Sequence, residues 1–88
     1  MHAVTIELFG IPRRRAGVAE VSLRARTLAE AVRQLEAACP QLAGLVTSEG
    51  NLSPQVLLSL DGTRFTGNLD QELPDDARLL LFSADAGG

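Results

Sequence analysis

One stretch of this chain, residues 27–40, has the apolar period of a helix, while the segments on either side of it alternate. Thr27-Leu28-Ala29-Glu30 has capping-box spacing: Thr27 can serve the amide three residues on, and Glu30 can reach back. Leu28, Ala31, Val32, Leu35 and Ala38 follow as one stripe, and Pro40 ends the helix beside Cys39. A lone helix has one stripe to bury and can cover one face of one small sheet, which leaves few architectures open.

Residues 3–9 read as a strand with Val4, Ile6 and Leu8 inward, and residues 18–24 as a second with Val21 and Leu23 apolar. Residues 10–17, with Pro12 and three arginines, read as the loop that joins them into a hairpin. After the helix, residues 42–46 have room for one further turn and residues 47–54 read as an exposed loop. Residues 55–60 form a third strand, ended by the Asp61-Gly62 turn, and residues 63–66 a short fourth. Residues 69–73 are open between a helical turn and coil. Pro74-Asp75-Asp76-Ala77 is turn chemistry, and residues 78–83 are the last strand. The order is that of an α+β fold, a mixed four- to five-stranded sheet packed on one main helix. The 88 residues support one core: residues 1–83 are read as the domain and residues 84–88 as a flexible tail.

The residue inventory removes most chemistry. With one cysteine (Cys39), one histidine (His2) and no lysine, the chain cannot build a Cys/His zinc site, a cysteine-held iron–sulfur cluster, a disulfide framework or a lysine Schiff base. No metal site is expected. Cys39, beside the apolar stripe, reads as a small core or helix-end residue, and His2 has no carboxylate neighbour to give it a mechanism. Asp75 and Asp76 read as solvating a turn. Arg13-Arg14-Arg15 is open between a solvated loop and a grip on an acidic partner. Residues 1–44 carry a net charge of +2 and residues 45–88 one of −5, and the acidic half argues against nucleic acid. No signal peptide and no apolar run of ~20 residues is visible, so no membrane partner is expected. The expectation is a soluble cytoplasmic protein, with which an unpaired Cys39 agrees.

Two features point outward. In Arg78-Leu79-Leu80-Leu81-Phe82, alternation sends Leu79 and Leu81 to one face and Leu80 and Phe82 to the other. Since one helix covers one face, Leu80, Phe82, Leu57 and Phe9 are read as an outward apolar patch suited to a protein partner, unless residues 41–54 cover it. The chain then finishes in Ser83-Ala84-Asp85-Ala86-Gly87-Gly88. A carboxylate is a poor electrophile until it is adenylated, and a tail that must thread a narrow adenylating channel is served by residues without a Cβ. On this reading Gly88 is the one covalently altered residue, and Gly87, with the small Ala86 before it, lets it thread.

With these residues in this order, the chain resembles the ubiquitin-like β-grasp sulfur carriers, and within them the small subunit of molybdopterin synthase. Leu8-Phe9-Gly10 with Arg13 and Gly17 is similar to the family's first strand and arginine-containing loop. Thr27 to Val32, Leu35 and Pro40 resemble its helix, Leu60-Asp61-Gly62 its strand-ending turn, and Leu79 to Phe82 with Gly87-Gly88 its last strand and terminus. The resemblance implies a ubiquitin-like β-grasp fold without catalytic machinery or a bound cofactor of its own. It implies that an E1-like adenylating enzyme activates Gly88 with Mg-ATP and that Gly88 becomes a thiocarboxylate. The tail would then enter the large subunit of molybdopterin synthase and supply dithiolene sulfur to a cyclic pterin precursor, with Phe82, Phe9 and Arg13 facing partners. Related carriers serve thiamine, cysteine or tRNA thiolation. A ubiquitin-like binding module that never reacts at its terminus is the reading from a different class.

Overall fold

The computed structural model describes residues 2–84. Strands β1 (His2–Leu8), β2 (Glu20–Ala25), β5 (Val56–Leu60), β6 (Arg64–Phe65) and β7 (Ala77–Ser83) form a mixed sheet in the order β2-β1-β7-β5-β6. β1 and β7 are parallel neighbours, while β1–β2, β5–β7 and β5–β6 are antiparallel. Helix α2 (Leu28–Ala38) packs on the inner face, giving the α+β architecture expected from the lone helical stripe.

The inner face is read directly from alternation. Val4, Ile6 and Leu8 of β1, Val56, Leu58 and Leu60 of β5, and Ala77, Leu79 and Leu81 of β7 are buried against Leu28, Ala31, Val32 and Leu35 of α2. The stripe of α2 ends one residue later than its spacing suggests. Ala38 is exposed and Cys39, the C-cap, is buried in its place. Its φ of −128° leaves the helical path, which turns the side chain toward the core.

Two local expectations are corrected. Residues 10–17 are not an open loop: Gly10–Ala16 is a short helix, α1. Pro12 is tolerated in its first turn, where amide hydrogens have no helical partner, and Gly17 closes it in the left-handed region (φ 77°), its N–H donating to the Arg13 carbonyl. The three arginines are competent helix formers and lie in the last turn, where the dipole favours cations. Residues 47–54 are likewise not a bare loop, because β3 (Thr47–Ser48) and β4 (Asn51–Leu52) make a small hairpin across Glu49-Gly50, both at positive φ. The Glu36 carboxylate ties it to α2, accepting from the Thr47 hydroxyl at 2.8 Å and from its amide at 3.3 Å. The further turn expected within residues 42–46 is present, the Leu45 and Val46 amides donating to the Leu42 carbonyl at 3.0 and 3.3 Å, and a 3₁₀ turn at Pro40–Leu42 leads into it. Residues 69–73 begin in a turn, closed by the Gln71 amide on the Asn68 carbonyl at 3.0 Å, and run on into an isolated bridge between Thr27 and Glu72. No helix among the described residues is long and apolar enough to cross a membrane.

The capping box of α2 is complete. Glu30 N–H donates to Thr27 Oγ1 at 3.3 Å, and the Glu30 carboxylate accepts from the amides of Arg26 (2.6 Å) and Thr27 (3.3 Å). The Arg26 amide, and after it that of Thr27, holds the Glu30 carboxyl below its ordinary value of 4.5. A folded-state pKa below the unfolded one contributes stability above the unfolded value, and that contribution is lost as pH falls through the lowered one. Chemical denaturation over an acid series should therefore show stability dropping below pH 4.5. Glu30→Ala should flatten that limb, and Thr27→Ala should cost about 1 kcal/mol at neutral pH.

Candidate functional site

The outer face of the sheet carries no helix. Cross-strand register sets Leu57 of β5 opposite Phe82 of β7, and Ser59 between Leu80 of β7 on one side and Phe65 of β6 on the other. Phe9, just past β1, stacks on Phe82 with centroids 4.8 Å apart, and Phe65 meets Phe82 edge to face at 6.3 Å. All three phenylalanines of the chain are thus gathered on this face, in the offset and T-shaped arrangements that aromatic quadrupoles favour. Leu57 is 41% exposed and Phe65 65%. The segment 41–54 does not cover them, because its apolar residues Leu42, Leu45 and Val46 are spent on the core. The outward reading of Leu80, Phe82, Leu57 and Phe9 holds, with Leu80, Phe82 and Phe9 half-buried by one another and by their neighbours.

Phe65 belongs to this patch and was not anticipated in it. The signal was available: a hairpin through Asp61-Gly62 brings Phe65 opposite Ser59, hence onto the face of Leu57. Ser83 is the other residue that sequence reasoning passed over. Its Oγ accepts the Ile11 amide of α1 at 3.0 Å, the Leu81 carbonyl accepts the Phe9 amide at 2.9 Å, and the Ala84 amide donates to the Gln55 carbonyl at 2.9 Å. The chain is therefore held on both sides as it leaves β7, beside a notch of about 420 Å³ lined by Ile11, Leu45, Pro54, Gln55 and Ala84. Gly10 makes the α1 contact possible. At φ 62° it sits where side chains are strained, and a Cβ there would lie 2.8 Å from Ser83 Oγ.

The remaining sequence candidates separate. Arg13 lies exposed on α1 and lines a shallow surface pocket together with Gly10, Gly17 and Ala19. Ala86, Gly87 and Gly88 lie outside the described residues. Cys39 is buried, and His2 Nδ1 is 3.9 Å from an Asp75 carboxylate oxygen. That oxygen accepts the Ala3 amide at 2.9 Å, so Asp75 fastens the start of β1 to the acidic turn. The Ala3 amide is also the first reason that its carboxyl titrates below the usual range. No cluster of three or more His, Cys, Asp or Glu side chains suited to a metal ion occurs among the described residues.

The Gly10–Ser83 contact has a measurable consequence. Gly10→Ala should destabilise the fold by about 1–3 kcal/mol, from the left-handed φ and the clash together. The Gly10→Ala/Ser83→Ala pair should cost less than the sum of the two single changes in equilibrium unfolding, since the smaller side chain removes the collision.

No protein-family profile and no curated protein matches the chain. Solved structures do match. The small archaeal modifier SAMP1 of Haloferax volcanii superposes with a TM-score of 0.86 at 23% identity, over 98% of this chain and 99% of that one. A candidate molybdopterin converting factor, subunit 1, of Pyrococcus furiosus superposes with a TM-score of 0.79 at 19% identity, over 97% and 100%. A chain of the BexX/CysO complex of Amycolatopsis orientalis gives 0.81 at 22%, over 97% and 99%. At these identities the likeness is one of fold: the chain has the ubiquitin-like β-grasp fold, and the resemblance seen in its sequence leads to the same set of proteins.

Proposed function

We propose that this protein is a sulfur carrier of the cytoplasm whose Gly88 carboxylate is the reacting group. The observation that carries the reading is the root of the tail. β7 delivers the chain out of the middle of the sheet, two elements pin it there, and an exposed aromatic patch lies alongside. A partner seated on Phe65, Phe82 and Leu57 would lie on the strand that precedes the last residues and would supply the catalytic groups. The fold likeness to a candidate molybdopterin converting factor subunit and to a chain of the BexX/CysO complex supports a carrier that works through partners.

The chemistry follows from a carboxylate that must be activated. The Gly88 carboxylate attacks the α-phosphorus of Mg-ATP on an E1-like adenylating enzyme, and pyrophosphate leaves. A sulfide-equivalent nucleophile then adds to the acyl carbon, AMP leaves, and a thiocarboxylate remains. Glycine at the last two positions lets the backbone approach both reagents closely. In its finer form the proposal is the small subunit of molybdopterin synthase, with Gly87 and Ala86 threading into the large subunit and sulfur passing to a cyclic pterin precursor. Phe82, Leu80 and Phe9 serve as the docking face, and Arg13 on α1 as a lateral contact. Delivery for thiamine, cysteine or tRNA thiolation is the alternative recipient.

Incubation with an E1-like enzyme, Mg-ATP and a sulfur donor, followed by intact mass measurement, should show one oxygen replaced by sulfur. Deleting Gly88 should abolish this with the melting temperature unchanged; a protein that forms neither acyl-adenylate nor thiocarboxylate is not a carrier. With the thiocarboxylate in hand, addition of the molybdopterin synthase large subunit and precursor reads out the finer assignment. Phe82→Ala should weaken large-subunit binding by about tenfold or more, as expected of a central aromatic anchor.

A further inference from the structure

The two edges of the sheet are unlike. β6 is a two-residue edge, whereas β2 is a six-residue strand paired with β1 in unbroken register from His2–Ala25 to Glu7–Glu20. It contains no proline and no bulge, and its edge-blunting charges, Glu20 and Arg24, are of opposite sign. Its hydrogen-bond phase follows from the Leu8 amide, which donates to the Ala19 carbonyl at 2.8 Å. In an antiparallel ladder, hydrogen-bonded pairs recur every second residue, so Val21, Leu23 and Ala25 direct their main-chain groups to β1. The N–H and C=O of Glu20, Ser22 and Arg24 then point away from the sheet. No described residue pairs with them, and all three residues are exposed.

The charges on this strand are incomplete by themselves. Glu20 lies directly across from Glu7 on β1, a like-charged pair that is unfavourable on a sheet face. Arg78 serves both carboxylates, hydrogen-bonding Glu7 and standing 3.7 Å from Glu20. Two carboxylates therefore share one guanidinium. Four residues further along β2 and on the same face, Arg24 has no carboxylate within ion-pair distance among the described residues.

We propose that β2 is the self-association edge of this protein, pairing antiparallel with β2 of a second copy about a twofold axis at Ser22. The arrangement follows from the free main-chain groups. Ser22 faces Ser22, and Glu20 of each copy faces Arg24 of the other, each such pair exchanging two N–H···O=C bonds. Arg24 thereby supplies the cation that the Glu7–Glu20 pair lacks. On the inner face Val21 of one copy meets Leu23 of the other, and both are only partly buried in the single chain. The two sheets become one continuous sheet with both outer faces on the same side. Phe65, Phe82 and Leu57, on the far strands, stay open, so the pairing does not depend on the carrier reading. The contact is shorter than the ~1,600 Å² of a standard stable complex, so association is weak and depends on concentration.

Charge reversal tests both register and symmetry. In sedimentation equilibrium the full chain should rise toward twice the monomer mass with concentration. Glu20→Arg alone places arginine against arginine, and Arg24→Glu alone places glutamate against glutamate; each should remain monomeric with an unchanged circular dichroism spectrum. An equimolar mixture of the two variants restores an arginine–glutamate pair at both rows and should recover dimer. Amide exchange at Ser22 should slow with concentration in the parent protein. A parent chain that stays monomeric to its solubility limit overturns the proposal. So does either single variant that dimerises as the parent does, or a mixture that stays monomeric.

Discussion

β1 and β7 lie side by side and parallel in the middle of the sheet, Val4 opposite Ala77 and Leu8 opposite Leu81. Parallel neighbours cannot be joined by a tight turn, so everything between them must act as one long crossover. Their inward residues Val4, Ile6, Leu8, Leu79 and Leu81 are all within 2% of complete burial and form the surface on which α2 rests. Because the last strand is central, its end is enclosed by neighbours on both sides. Its last described residues, Ser83 and Ala84, are held between α1 and the segment before β5.

Burying one face so fully leaves the other to interactions of a different kind. It divides into an aromatic region around Phe82, on β7, β5 and β6, and a charged region around Arg78, on β1 and β2. The first has apolar area to offer a partner. The second is an electrostatic arrangement short of one cation, beside an edge with free main-chain groups.

Much of this was legible because it is local. The capping box, the buried residues of α2, the inward sets of β1 and β7, and the turn at Asp61-Gly62 depend on residues within a few positions of one another, and the structure shows each. The misreadings occurred where local signals compete. Gly10, Pro12 and Gly17 suggest a loop one at a time, yet at the first turn and the C-cap they suit a short helix. Glu49-Gly50 likewise looked like loop composition, whereas its left-handed backbone and the Glu36–Thr47 bonds make it a hairpin.

The class of the fold, its one main helix and the apolar character of both faces of the last strand could be read from the chain alone. Those properties follow from period and inventory, which need no partner segment. That Phe65 joins Phe9 and Phe82, that Ser83 meets Gly10, and that Arg78 of the neighbouring row reaches Glu7 and Glu20 on one face is visible only in the assembled fold. Each depends on strand order and register between segments as many as 72 residues apart, which are set by packing across the whole core and leave no local trace.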